Sequence, residues 1–311
     1  MIKNHSILFI VFIGMILSQS CISKKSTTEE TPENGTIQIS VDESFRPVME
    51  EQIKMYELSY PNAHIEVVYK SEADCMRDFF KDSATRLVIV GRGLSKKEER
   101  FMIDSIGYNP PCNRVATDAV AIILNPSNID TTLTLDQIEK GLLGHDEKKY
   151  LYVFDGLNAT STVRYIKDSI LKGNKYDTSM VRATKNSEEV IEYVANHKNA
   201  IGFLGISWIG NEQDPNQIQR LKKIRLAYIQ NLNCTGEPFV KPTQESMITR
   251  RYPLTRPLYY IMKENFTGVG SGFVSFLKYE RGQLIFKRDY LAPVMDFEVR
   301  NIQINETGAK K

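Results

Sequence analysis

Short apolar runs alternate with amphipathic helical stretches along most of the chain, and this alternation limits the fold more than any other feature. Ile37, Ile39 and Val41 alternate through residues 36–41 and read as one face of a strand. Next comes a helical stretch in which Met49, Ile53, Tyr56 and Tyr60 recur at spacings of four, three and four. Ser44 is expected as its N-cap. Pro47 fits a first turn, where its missing N–H has no partner to lose. Further strands are expected at 64–69, 87–90, 119–124, 150–154, 201–206 and 226–229. Helices are expected at 75–80, from the Thr134–Gln137 capping-box pair through Leu142, at 162–171, and after Ser187 with Val190, Ile191 and Val194 on one face. Strands that alternate with helices predict an α/β protein whose sheets are parallel and covered on both sides. The basic cluster Arg220, Lys222, Lys223 and Arg225 reads as a solvated strand edge, and Gly268–Gly272 as a loop that enters a helix over 273–279.

The first residues stand outside this pattern. Lys3 precedes an eleven-residue apolar run, Ile7–Leu17, and then Ser18, Gln19, Ser20 and Cys21. Eleven residues are too few to span a bilayer, which needs about 20. A charged start, short apolar core and small-residue cleavage site make a secretory signal over residues 1–20. The Cys directly after a small residue resembles the bacterial lipobox, which implies that Cys21 is acylated. Residues 21–35 are then a polar, flexible tether holding the body away from a membrane. The expected location is the periplasmic side of a bacterial cell envelope, lipid-anchored. Cys75, Cys112 and Cys234 remain, without metal-binding spacing; one pair could bridge in an oxidising compartment, or all three could be buried apolar residues.

Charge and motifs exclude several classes of function. Forty Lys and Arg against 38 Asp and Glu give a net charge of +2, so the chain lacks the overall basic field of a nucleic-acid binder. There is no phosphate-loop, nucleophile-elbow or zincin motif, and no paired nucleophile and base; an enzyme, a cofactor and a metal are not expected. What the sequence does show is strands running into hydroxyl-rich loops that open helices: Ser40–Ser44, Lys70–Ser71 and Asn158–Thr162. A helix N-terminus carries unpaired N–H groups and about half a positive charge. With Ser and Thr hydroxyls beside them, several such ends could cradle an oxyanion.

Several segments carry a family resemblance. Residues 252–259 (YPLTRPLY), 200–206 (AIGFLGI), the 133–144 helix, 118–121 (DAVA) and the closing 272–294 stretch resemble, in order, segments of the phosphate-binding proteins that serve ABC importers. The resemblance implies a type II periplasmic binding protein, α/β, with two lobes of mixed, mainly parallel sheets joined by two crossover strands at 117–124 and 257–262. Lobe one would comprise 36–116 plus 257–300, lobe two 117–256, and residues 301–311 a tail. Carried over residue by residue, the ligand set is Ser40 or Ser44 (Ser44 by preference), Ser71, and Thr160, Ser161 and Thr162. Asn158 replaces a family Asp, and Arg92 is the nearest cation to the place of a second Asp, near Gly91. The family's Arg would fall near Asp155, where no cation stands, so the cradle is expected to have lost one cation and both acceptors. The implied function is capture of inorganic phosphate or a related oxyanion by a monomer that hands it to ABC permease subunits. A non-transporting envelope sensor on the same fold is the alternative.

Overall fold

The structure, a computed structural model, describes residues 29–146, 150–156, 160–233, 236–295 and 297. The signal segment, Cys21, Asn158, Cys234 and the C-terminal tail lie outside the described residues. Eight strands form the main sheet: β1 (Asn34–Asp42), β2 (Asn62–Lys70), β3 (Thr85–Val90), β4 (Cys112–Leu124), β5 (Leu151–Phe154), β6 (Val181–Ala183), β7 (Ala200–Gly205) and β8 (Thr255–Met262). Their spatial order is β2-β1-β3-β8-β4-β7-β5-β6, with the short strands Arg225–Leu226 and Ala292–Pro293 also paired to β4. β1 is parallel to β2 and β3, and β5 is parallel to β6 and β7. Between these two parallel groups, β8 and β4 run antiparallel to their neighbours.

β4 links the two halves. Its residues from Cys112 to Ala119 pair with β8, and those from Val120 to Leu124 pair with β7. The stretch from Asp118 to Leu124 is buried throughout. A strand covered on both faces has no solvent side to mark with polar residues, which is why this segment reads as a continuous apolar run. The architecture is two α/β lobes joined through β4 and β8, as the resemblance implies.

Two helix starts differ from the sequence expectation in the same way. Asp42, not Ser44, caps the chain, accepting Ser44 N at 3.2 Å; a 3₁₀ turn (Glu43–Phe45) follows, then helix α1 (Arg46–Ser59) with Pro47 in its first turn. Asn186, not Ser187, caps the helix Ser187–Asn196. In both places an upstream Asx oxygen does the capping, and the Ser hydroxyl is left free to face the other half of the molecule. Of the basic cluster at 220–225, only the exposed Arg225 stands on a strand, the short Arg225–Leu226 segment paired to β4. Arg220, Lys222 and Lys223 sit in the last turn of the helix Pro215–Lys223, where cations oppose the negative end of the helix dipole. The 268–272 glycines form not a loop but the head of the helix Val269–Lys278, because the backbone must pass close to its neighbours. A Cβ on Gly270 would lie 2.6 Å from Ile37 and 2.7 Å from Glu264.

Cys75 and Cys112 carry free thiols. Among the described residues no helix is long and apolar enough to cross a membrane, and no cluster of His, Cys, Asp or Glu could hold a metal ion.

Candidate functional site

The two crossover strands place opposite charges side by side. In the β4–β8 ladder Asp118 is the direct partner of Arg256, and both side chains are fully buried. Arg256 Nε and Nη2 lie 2.9 and 2.8 Å from Asp118 Oδ2. The guanidinium stacks over Phe45, 4.6 Å from its ring centroid, so one face is sealed by apolar surface. Its remaining reach goes forward. Nη1 donates to Ser161 Oγ at 2.8 Å and to Thr162 Oγ1 at 3.1 Å.

Ser161 and Thr162 open helix α2 (Ser161–Ser169), which Thr160 caps by accepting Val163 N at 3.3 Å. The Ser44 hydroxyl reaches them from the other lobe, 3.2 Å from Thr162 Oγ1 and 3.5 Å from Ser161 Oγ. Asp155, just beyond β5, gathers hydroxyls around it. It accepts from Thr160 at 2.8 Å, Ser44 at 3.0 Å, Ser187 at 3.3 Å and Thr162 at 3.4 Å. Ser187 also donates to Glu43 Oε2 at 3.1 Å, and Trp208 Nε1 donates to the Ser44 carbonyl at 3.1 Å. Gly205 makes this approach possible. A Cβ there would stand 3.0 Å from Ser44 O and 3.1 Å from both Arg256 Nη2 and Asp118 Oδ2.

Three carboxyls here hold their protons unusually tightly. Asp42 is raised to about 7, chiefly by burial and then by the charge of Glu72; Arg256 and the Ser161 hydroxyl oppose this, and Asp155 adds to it. Glu43 is raised to about 7, again first by burial and then by Asp155. Burial raises Asp118 too, against the pull of Arg256. Asp42 Oδ2 is buried and has no hydrogen-bond partner among the described residues. Such an atom is costly to leave unpaired and is suited to accept a hydrogen from a ligand or to carry one.

The structure brings together four of the eight ligand residues expected from the sequence: Ser44, Thr160, Ser161 and Thr162. Three stand elsewhere. The Ser40 hydroxyl points to Asp78 (3.1 Å) behind the sheet, Ser71 caps its own helix (Glu72–Lys81), and Arg92 is tied to Glu98 by two bonds of 2.8 Å. Ser40 lies on a buried strand face, and Arg92 found a carboxylate six residues away that satisfies both its arms. Asn158 lies outside the described residues. The expected loss of charge is also corrected. Arg256 supplies a cation from a crossover strand rather than from the loop before Thr160, and Asp42 and Asp155 bring carboxylates. The readable signal was a single Arg in the apolar run TRPLYYIM opposite a single Asp at the head of DAVAIIL, since charges buried in such strands must pair.

Chemically, this is a set of hydroxyl donors, one helix N-terminus and one buried guanidinium, assembled from both lobes around a point at their junction. Such a set can enclose a small tetrahedral anion, provided the hydroxyls now given to Asp155 and to one another rotate toward it.

Comparison with known proteins agrees with this architecture. The PBP superfamily domain profile matches residues 26–279. The Phosphate-binding protein PstS of Pseudomonas aeruginosa is 23% identical over 277 residues, covering 81% of each chain. A Clostridium perfringens structure, described as a putative phosphate ABC transporter substrate-binding protein with bound phosphate, superposes with a TM-score of 0.68 at 20% identity, over 84% of this chain and 100% of that one. An ABC-type phosphate transport receptor from Vibrio cholerae superposes with a TM-score of 0.61 at 17% identity, over 83% and 100%. With the profile spanning most of its length, the chain belongs to the PBP superfamily.

Proposed function

We propose that this protein is a lipid-anchored solute-binding protein, not an enzyme, that captures inorganic phosphate or a closely related oxyanion and delivers it to an ABC importer. The observation that carries the reading is the buried Arg256 guanidinium, aimed at Ser161 and Thr162 at a helix N-terminus and faced by Ser44 from the opposite lobe. The lobes in this reading are residues 36–116 plus 257–300 and residues 117–256. The names and bound ligand of its relatives point the same way.

Each hydrogen bond to a charged group contributes roughly 1.5–3 kcal/mol. Thr162→Val should therefore weaken binding about tenfold to a hundredfold, at 1.4 kcal/mol per decade. Calorimetry with phosphate, sulfate and arsenate measures this. No heat and no competition from any of the three at millimolar concentration would remove the transport reading. The envelope-sensor reading would then gain. One observation already favours it: five carboxyls, Asp42, Glu43, Glu72, Asp118 and Asp155, gather at the junction, where Arg164 and Arg256 pair with Glu72 and Asp118.

Anchoring rests on Cys21, which follows the short apolar core and precedes the polar tether. The wild type should sediment with membranes as a monomeric lipoprotein, and Cys21→Ser should release it or block its processing. A wild type found wholly in the soluble fraction would reject acylation.

A further inference from the structure

A second connection between the lobes lies outside the hydroxyl cradle. Arg164, on helix α2 of lobe two, donates through Nε and Nη2 to the carboxylate of Glu72 in lobe one, the Nη2–Oε2 distance being 3.1 Å. Arg164 Nη2 also donates to the Gly91 carbonyl at 3.2 Å, and Glu72 Oε2 accepts Gly91 N at 2.9 Å. Glu72 is nearly enclosed, its side chain 4% exposed, whereas Arg164 remains 31% exposed. Gly91 stands beside the cradle: a Cβ on it would meet Ser161 Cβ and Glu72 Oε2, each at 3.0 Å. On its own helix Arg164 has another carboxylate within reach, Asp168 at 3.6 Å, which is 60% exposed.

We infer that Arg164 is a positioning residue for anion binding: its bidentate pair with Glu72 latches the lobes together, and Asp168 is the partner it turns to when they part. The pair needs no anion, because its atoms are distinct from those of the cradle. It therefore sets how often the chain is closed before ligand arrives. A ligand that binds only the closed form is held more weakly in proportion to the closed fraction. Asp168, one helical turn from Arg164, keeps the guanidinium paired in the open form and so favours opening.

The effect on affinity rests on the binding reading above; the effect on shape does not. Small-angle scattering of the full mature chain without added anion should give a larger radius of gyration for Arg164→Gln than for wild type. Asp168→Ala should not exceed the wild type. Glu72→Gln, which keeps an oxygen for Gly91 N, should expand like Arg164→Gln, and this guards against a variant that simply misfolds. In a titration with inorganic phosphate, Arg164→Gln should bind about tenfold more weakly, in proportion to its smaller closed fraction. Equal anion-free radii for wild type, Arg164→Gln and Glu72→Gln would overturn the latch, whatever phosphate does. Larger anion-free radii in both, with no phosphate binding by any form, would keep the latch and sink the phosphate reading instead.

Discussion

Replacing Arg256 with Met should lower phosphate affinity at least a hundredfold and also destabilise the fold. The affinity loss follows from removing the buried guanidinium that donates to the Ser161 and Thr162 hydroxyls, whose charged hydrogen bonds contribute roughly 1.5–3 kcal/mol each. The stability loss has a different origin. Asp118 has its carboxylate against Arg256 at 2.8 Å with both side chains fully buried, and stranding a buried charge costs about 3–5 kcal/mol. Adding Asp118→Asn to Arg256→Met removes the stranded charge. The double variant should recover most of the unfolding temperature and none of the binding. Thermal unfolding and calorimetry on the same three proteins separate the two effects. Recovery of binding in the double variant would show that Arg256 serves only the fold.

Stability should fall as pH rises from roughly 4 to 7. A carboxyl whose proton is held more tightly in the folded chain adds stability that is fully present below its unfolded value. That stability is lost as pH climbs through the folded value. For Asp42 and Glu43 the window runs from their ordinary values, 3.8 and 4.5, up to about 7. Asp289, raised to about 7 chiefly by burial, acts with the same sign. Glu98 has the opposite sign, since Arg92 holds it down to about 2, but its window ends at its ordinary value of 4.5, where the loss from the others is only beginning. Unfolding temperature measured across the range should decline in the wild type. The decline should be visibly shallower in the Asp42→Asn, Glu43→Gln double variant, with Asp289 leaving a residual slope. A flat wild-type profile would contradict the burial assigned to these groups.

Much of the fold was readable because burial writes itself into strands. Ile37, Ile39 and Val41 alternate because one face of β1 packs on helices, and 119–124 is apolar throughout because β4 is covered twice. The capping box formed by Thr134 and Gln137 was equally direct. The site was half legible. Thr160, Ser161 and Thr162 stood out as a hydroxyl run at a helix start, but any Ser or Thr near such a start is a candidate cap. The sequence therefore could not say that Asp42 and Asn186 would cap and free Ser44 and Ser187 for the junction. Arg256 escaped because its role depends on a strand pairing with Asp118, 138 residues away, and pattern along the chain does not reveal which strands are neighbours. Ser40 and Arg92 were misplaced for another reason: each is close in sequence to the site, yet its side chain is committed to a carboxylate elsewhere, Asp78 for Ser40 and Glu98 for Arg92.

In the proposed function, Arg256 and the hydroxyls of Ser44, Ser161 and Thr162 enclose an oxyanion at the lobe junction. Arsenate reports on it directly, because arsenic scatters anomalously and its position can be seen without interpretation. Crystals of the mature protein grown with arsenate should show one strong anomalous peak at the junction, its oxygens within hydrogen-bond reach of Arg256, Ser161 and Thr162. A peak elsewhere on the chain, with the junction empty of arsenic at concentrations that saturate binding in solution, would rule out the junction as the anion site.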